Sequence, residues 1–321
     1  MGHGYWREDD FRRYSTERGR SVRADGTVDT SSFHGNAQAM FTQRTLDPVL
    51  DPLNVMRECC ETEEHPNTLP VILALDVTGS MGHSAIEAAA KLNQVMKQVY
   101  EMNMDVEFMV MGIGDLAYDR APIQISQFES DIRIAEQLDK IYFEGGGGGN
   151  LFESYTAAWY MAARHTKLDC WKRGRKGILI TLGDEPLNPY LPGKRLADLT
   201  GDGVQGDVDT NDLYQEVTQK YDVYHIYVQH GRRLYEGASR RAFLKVLDSQ
   251  HYLTAEVEEI AAKIIAIVKG KREEDQAEKK TGFFTGKRLF GRRKIGFAVA
   301  PADNAPKPGA GAEKPCYDFG S

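Results

Sequence analysis

Asp76, Thr78 and Ser80 stand at alternate positions of Asp76-Val77-Thr78-Gly79-Ser80. A carboxylate and two hydroxyls spaced this way on a tight turn can face a single point. Hard cations such as Mg2+ take oxygen ligands, so cation binding is the chemistry these residue types offer. A turn that merely caps a helix with polar side chains would use the same letters.

The flanking sequence says where the turn must sit. Leu69-Pro70-Val71-Ile72-Leu73-Ala74-Leu75 is too short for a buried helix and right for a strand covered on both faces. After the turn, Ser84-Ala85-Ile86-Glu87 reads as a capping box opening a helix toward Tyr100, with Ile86, Ala89, Ala90, Leu92, Asn93, Met96 and Val99 as its inward stripe. The three oxygens therefore leave the carboxyl end of a central strand, the edge at which open α/β sheets place their ligands.

Strand and helix patterns alternate through the following chain. Asp105–Met111 reads as a strand, Ile123–Phe128 as a more exposed strand, and Ile132–Ile141 as a short amphipathic helix. The run Gly145 to Gly149 leads through Asn150 and Glu153 into a helix over Ala157–Ala163. Gly177–Leu182 is a second buried strand, ending in Gly183-Asp184-Glu185-Pro186, where proline takes the chain out of the sheet. A helix at 212–221, a strand at 223–228, a helix at 239–247, an edge strand at Tyr252-Leu253 and a closing helix at 256–268 complete the series. The expected fold class is α/β, doubly wound and Rossmann-like, with a mainly parallel sheet between helical layers.

Asp-x-Thr-x-Ser resembles the metal-ion-dependent adhesion site of the von Willebrand factor A (vWA) domain family, whose usual form is Asp-x-Ser-x-Ser. The resemblance covers residues 66–269 and implies one antiparallel edge strand in the sheet. It also implies two further ligand loops. Asn150 falls where the second loop commonly offers Thr or, after glycines, Asp, with Glu153 as the trailing acid; Asn coordinates only through a neutral carbonyl, and a helix cap is its other reading. Asp184 falls on the third loop, with Glu185 in place of the usual glycine. The implied metal set is Asp76, Thr78, Ser80, Asn150 and Asp184, the implied cofactor Mg2+ or Mn2+, and the implied partner a protein that supplies a carboxylate. Intracellular relatives of this kind often work beside MoxR-type AAA+ ATPases.

Other readings use the same letters. Asp76-Val77-Thr78-Gly79-Ser80 and Thr200-Gly201-Asp202-Gly203 also resemble the loops of haloacid-dehalogenase-like phosphohydrolases, with Asp76 as nucleophile and Mg2+ offsetting charge. That reading needs a buried strand before Thr200, whereas Lys194–Leu199 looks like a helix end. Gly112-Ile113-Gly114-Asp115-Leu116-Ala117 matches a dinucleotide fingerprint by letter, but Tyr118-Asp119-Arg120-Ala121-Pro122 follows instead of a helix. The acids from Asp202 to Asp212 lack the glycine and glutamate positions of an EF-hand loop.

Composition bounds the rest. The chain has 321 residues, net charge −7 and four cysteines without Cys-x-x-Cys spacing, and no run is apolar and long enough to span a bilayer. Composition leads to the expectation of a cytoplasmic protein, off membranes and poorly suited to nucleic acid, although the arginines of the first 50 residues keep an RNA-associated role as an alternative. The resemblance to the vWA family implies a module without enzymatic activity. Residues 1–65 are read as a partly docked N-terminal arm, 66–269 as the vWA domain, and 270–321 as a charged, then Pro/Gly/Ala-rich tail, expected to be disordered. Leu46–Met56 carries the apolar side chains that would dock the arm.

Overall fold

The computed structural model describes residues 4–33, 40–144, 152–229 and 235–284. The strands are β1 Arg57–Cys59, β2 Leu69–Asp76, β3 Val106–Ile113, β4 Ile123–Ile125, β5 Thr166–Leu168, β6 Gly177–Gly183, β7 Tyr190–Leu191, β8 Val208–Asp209, β9 Tyr221–Gln229 and β10 Tyr252–Glu256. The helices are α1 Glu8–Glu17, α2 His83–Glu101, α3 Arg133–Leu138, α4 Thr156–Arg164, α5 Asp169–Lys172, α6 Gly193–Thr200, α7 Thr210–Val217, α8 Glu236–Phe243 and α9 Ile260–Phe284. The chain divides into two compact units, Met1–Asp275 and Gln276–Ser321. The described start of the second is helical, being the end of α9.

The main sheet has the order β10-β9-β6-β2-β3-β4, parallel throughout except for the antiparallel β3–β4 pair. Both faces of β2 are apolar because both are covered. Val71, Leu73 and Leu75 enter one core with side chains of α1, α2, α3 and α9. Ile72 and Ala74 enter the other with side chains of α4, α6, α7 and α8. From β2 the chain moves to β3 on one side, and β6 later returns to its other side. The switch point thus falls between β2 and β6, where a crevice opens at the carboxyl ends of the strands.

Four local expectations need correction. The Ser84–Glu87 capping box does not form: Gly82 is the N-cap at φ +47°, a left-handed turn suited to glycine, and α2 starts one residue before Ser84. The Glu87 carboxylate is instead engaged by the Thr30 hydroxyl and by His83 Nε2. The β4 segment is buried, because Gln124 satisfies itself against the Tyr142 backbone, donating to its carbonyl at 2.7 Å and accepting from its N–H at 2.7 Å. The closing helix begins only at Ile260, after the one-turn 3-10 helix Val257–Glu259, and runs on to Phe284.

The fourth concerns the N-terminal segment, which contains a helix that its weak periodicity does not announce. Trp6, Phe11 and Tyr14 pack into the core that α2 and α3 share. Tyr14 donates to Asp139 Oδ2 at 2.7 Å, and the buried Arg20 guanidinium pairs with the same carboxylate at 2.7 Å. In Leu46–Met56 it is Leu50 that is fully buried, while Val49, Leu53 and Met56 are exposed.

Candidate metal centre

The first loop leaves β2 at Asp76, and the loop bearing Asp184 leaves β6, its parallel neighbour. Register does the positioning. Leu75 pairs with Leu182, so the chains diverge side by side and carry Asp76 and Asp184 to the same rim. The Ser80 hydroxyl donates to Asp184 Oδ1 at 3.0 Å.

Within the first loop, Asp76 Oδ1 accepts from the Thr78 N–H at 2.9 Å and from the Thr78 hydroxyl at 2.6 Å. Thr78 Oγ1 and Ser80 Oγ lie 3.1 Å apart. Each hydroxyl thus has a carboxylate to take its proton, Asp76 for Thr78 and Asp184 for Ser80. That orientation leaves oxygen lone pairs facing outward, the state in which a neutral hydroxyl can ligate a cation. Cis ligands at about 2.1 Å from an octahedral Mg2+ stand about 3 Å apart, close to the separations here.

The site is electrostatically loaded. Asp76 is fully buried, and burial first, then the charge of Asp184, raises its carboxyl above the usual range. Burial and Asp184 push Glu185 up to about 7. Glu153 is also buried and raised, by desolvation and then by Asp76 and its acidic neighbours, and its Oε2 lacks a hydrogen-bond partner among the described residues. Asp115 Oδ2 is likewise buried without a hydrogen-bond partner among the described residues. Buried like charges and orphaned carboxylate oxygens are costly without a cation or donors to compensate them. Among the described residues no group of three or more His, Cys, Asp or Glu side chains is arranged to hold a metal ion. The donors on offer are two hydroxyls and two carboxylates, an all-oxygen set that suits Mg2+ or Mn2+ better than softer metals.

The sheet order and the antiparallel edge strand decide the architecture. The fold is vWA-like. No family model and no curated protein matches the sequence. Among solved structures, the pilus adhesin SpaC from Lactobacillus rhamnosus GG, in its open conformation, is similar at 11% identity over 68% of this chain, with a TM-score of 0.45. This chain spans 31% of that one. The SpRpn10 VWA domain is similar at 11% identity over 61% of this chain and 94% of its own, with a TM-score of 0.38. The vWF domain of the type V pili tip protein Mfa5 from Porphyromonas gingivalis is similar at 12% identity over 70% and 98%, also at 0.38.

Of the five residues expected to share a cation, the vWA-like domain brings Asp76, Thr78, Ser80 and Asp184 together. Asn150 lies outside the described residues. Glu153 is held at the third loop, where its N–H donates to the Pro186 carbonyl at 3.1 Å. Asp202 takes no part in the site: its Oδ2 accepts from His165 Nε2 at 2.7 Å and from the Tyr160 hydroxyl. Helix α6, not a strand, leads into Thr200, so the second dehalogenase-like loop lacks its strand. Gly112–Ala117 opens no helix. His225 is a packed strand residue, bonded through Nδ1 to Thr181 Oγ1 at 2.9 Å and stacked on Phe243 at 3.7 Å.

One contributor escaped the sequence reading. Tyr155, immediately before α4, is fully buried and donates its hydroxyl proton to Asp76 Oδ2 at 2.7 Å. A tyrosine just ahead of an apolar helix gives no sign of a contact made 79 residues away.

Proposed function

We propose that this chain is a non-enzymatic, divalent-cation-dependent protein-interaction module. Thr78 and Ser80 would ligate Mg2+ or Mn2+ directly, Asp184 directly or through water, and Asp76 would orient Thr78. The bound cation would offer an open position to a carboxylate of a protein partner. The observation that carries this reading is the pairing of each loop hydroxyl with a carboxylate, Thr78 with Asp76 and Ser80 with Asp184. A cytoplasmic setting and a MoxR-type AAA+ ATPase as partner are the first possibilities to test.

An aspartyl-phosphate reading finds less support, because both Asp76 oxygens accept hydrogen bonds and Asp202 is tied elsewhere. An RNA-binding arm finds less as well. Arg12, Arg18, Arg20 and Arg23 are engaged by Glu8, Asp139, Asp139 and Asp29.

Affinity purification of the full chain with Mg2+ and with chelator tests the reading. The expected result is a partner retained in Mg2+, released by chelator and lost with Ser80→Ala. Retention that is equal in chelator contradicts it.

A further inference from the structure

The Tyr155 hydroxyl sits between the two loops that make the site. It donates to Asp76 Oδ2 at 2.7 Å and accepts from the Glu185 N–H at 3.2 Å. One oxygen thereby joins the end of β2 to the end of β6. Asp76 Oδ1 is held by two Thr78 donors, so Tyr155 completes the immobilisation of that carboxylate. The Thr78 proton then has one acceptor direction, which fixes where the lone pairs of Thr78 point.

The surroundings keep the phenol in place. Its ring is fully buried and packs against His225 at 5.2 Å and Phe243 at 5.7 Å between ring centroids. The approach to Asp76 crosses Gly183, and a Cβ there would collide with the Tyr155 hydroxyl and ring. Glycine at the last position of β6 is thus required by the tyrosine.

We propose that Tyr155, admitted by Gly183, is the positioning residue of the cation site, setting its affinity by holding Asp76 and tying the first loop to the third. The inference rests on the metal-dependent reading. Outer-layer hydrogen bonds of this kind typically change metal affinity by about 10- to 100-fold.

The test is Mn2+ titration of the full chain, followed by electron paramagnetic resonance, for the wild type, Tyr155→Phe, Gly183→Ala and the double variant. The expected result is affinity weakened by about 10- to 100-fold in each single variant. The double variant should be no weaker than the worse single, because both changes remove the same hydrogen bond. A merely structural role would lower the melting temperature of the metal-free protein without this pattern. Wild-type protein that binds no Mn2+ overturns the metal reading itself. Wild-type binding with Tyr155→Phe unchanged overturns the role of Tyr155 alone, as does a double variant showing the product of the two single losses. Should Gly183→Ala fail to fold, Tyr155→Phe decides.

Discussion

Ser80 and Asp184 are separated by 104 residues and joined by a 3.0 Å hydrogen bond. That contact closes the first and third loops around one point, and it brings the buried Asp76 within the field of a second carboxylate. Two carboxylates are thereby held close together in a buried setting, a charge arrangement that the proposed cation would relieve.

Asp184→Asn should stabilise the metal-free protein while removing cation binding. Asn still accepts from Ser80 but no longer repels Asp76. A relief of about 1 kcal/mol corresponds to a rise of roughly 2–4 °C in melting temperature for a domain of this size. Calorimetry in chelator should show the rise, and a fall in melting temperature would sink this account of the charge balance.

Added Mg2+ should raise the melting temperature of the wild type in a concentration-dependent way. At 100 times the dissociation constant the stabilisation is about 2.7 kcal/mol. Ser80→Ala should abolish the dependence, since it removes a ligand and leaves Asp184 without that donor. A scan at increasing Mg2+ checks both statements, and identical curves for the two proteins would contradict them.

Asp139→Ala should loosen the N-terminal helix. Tyr14, Arg18 and Arg20 all converge on that carboxylate, with the Arg20 side chain only 5% exposed. Removing one member of a buried ion pair costs about 3–5 kcal/mol, because the remaining charge is left uncompensated. Limited proteolysis should then cut near Gly19–Gly26 much faster than in the wild type. Unchanged cleavage would show that the apolar contacts of Trp6 and Phe11 hold the segment alone.

Glu107 gives a pH dependence unconnected with the site. Burial pushes its carboxyl up to about 7, against an ordinary value of 4.5, and its Oε2 has no partner among the described residues. Below the unfolded value both states are protonated and the cost is absent. As pH rises from 4.5 toward 7 the unfolded chain releases the proton first, so stability falls across that window, by of the order of 3 kcal/mol, and then levels. Urea midpoints of Glu107→Gln should fall less steeply than wild type between those limits. Parallel profiles would remove Glu107 as the cause.

Much of the scaffold was legible because burial on both faces leaves a plain mark. Leu69–Leu75 and Gly177–Leu182 are continuous apolar runs, and they are the adjacent strands β2 and β6. The stripe Ile86, Ala89, Leu92, Met96 and Val99 is buried as its spacing implies. The contact of Thr78 with Asp76 was readable because the two are local in sequence, and Ser80 lies on the same loop. Tyr155 and Gly183 were not, since their roles exist only once α4 is laid against the end of β6. The N-terminal helix was missed because Phe11 and Tyr14 are few among charged residues, and its anchor Asp139 is 125 residues from Tyr14. Glu153 was seen as a trailing acid, but its burial beside Asp76 depends on the third loop packing against it.

The central claim is that Asp76, Thr78, Ser80 and Asp184 act together on one divalent cation. Isothermal titration of chelator-stripped full-length protein with Mn2+ tests it most directly, with Thr78→Ala and Ser80→Ala as controls. The account predicts one saturable site per chain, lost in both variants while their circular dichroism stays that of the wild type. Absence of saturable binding in the wild type, or binding that survives both substitutions, would contradict it.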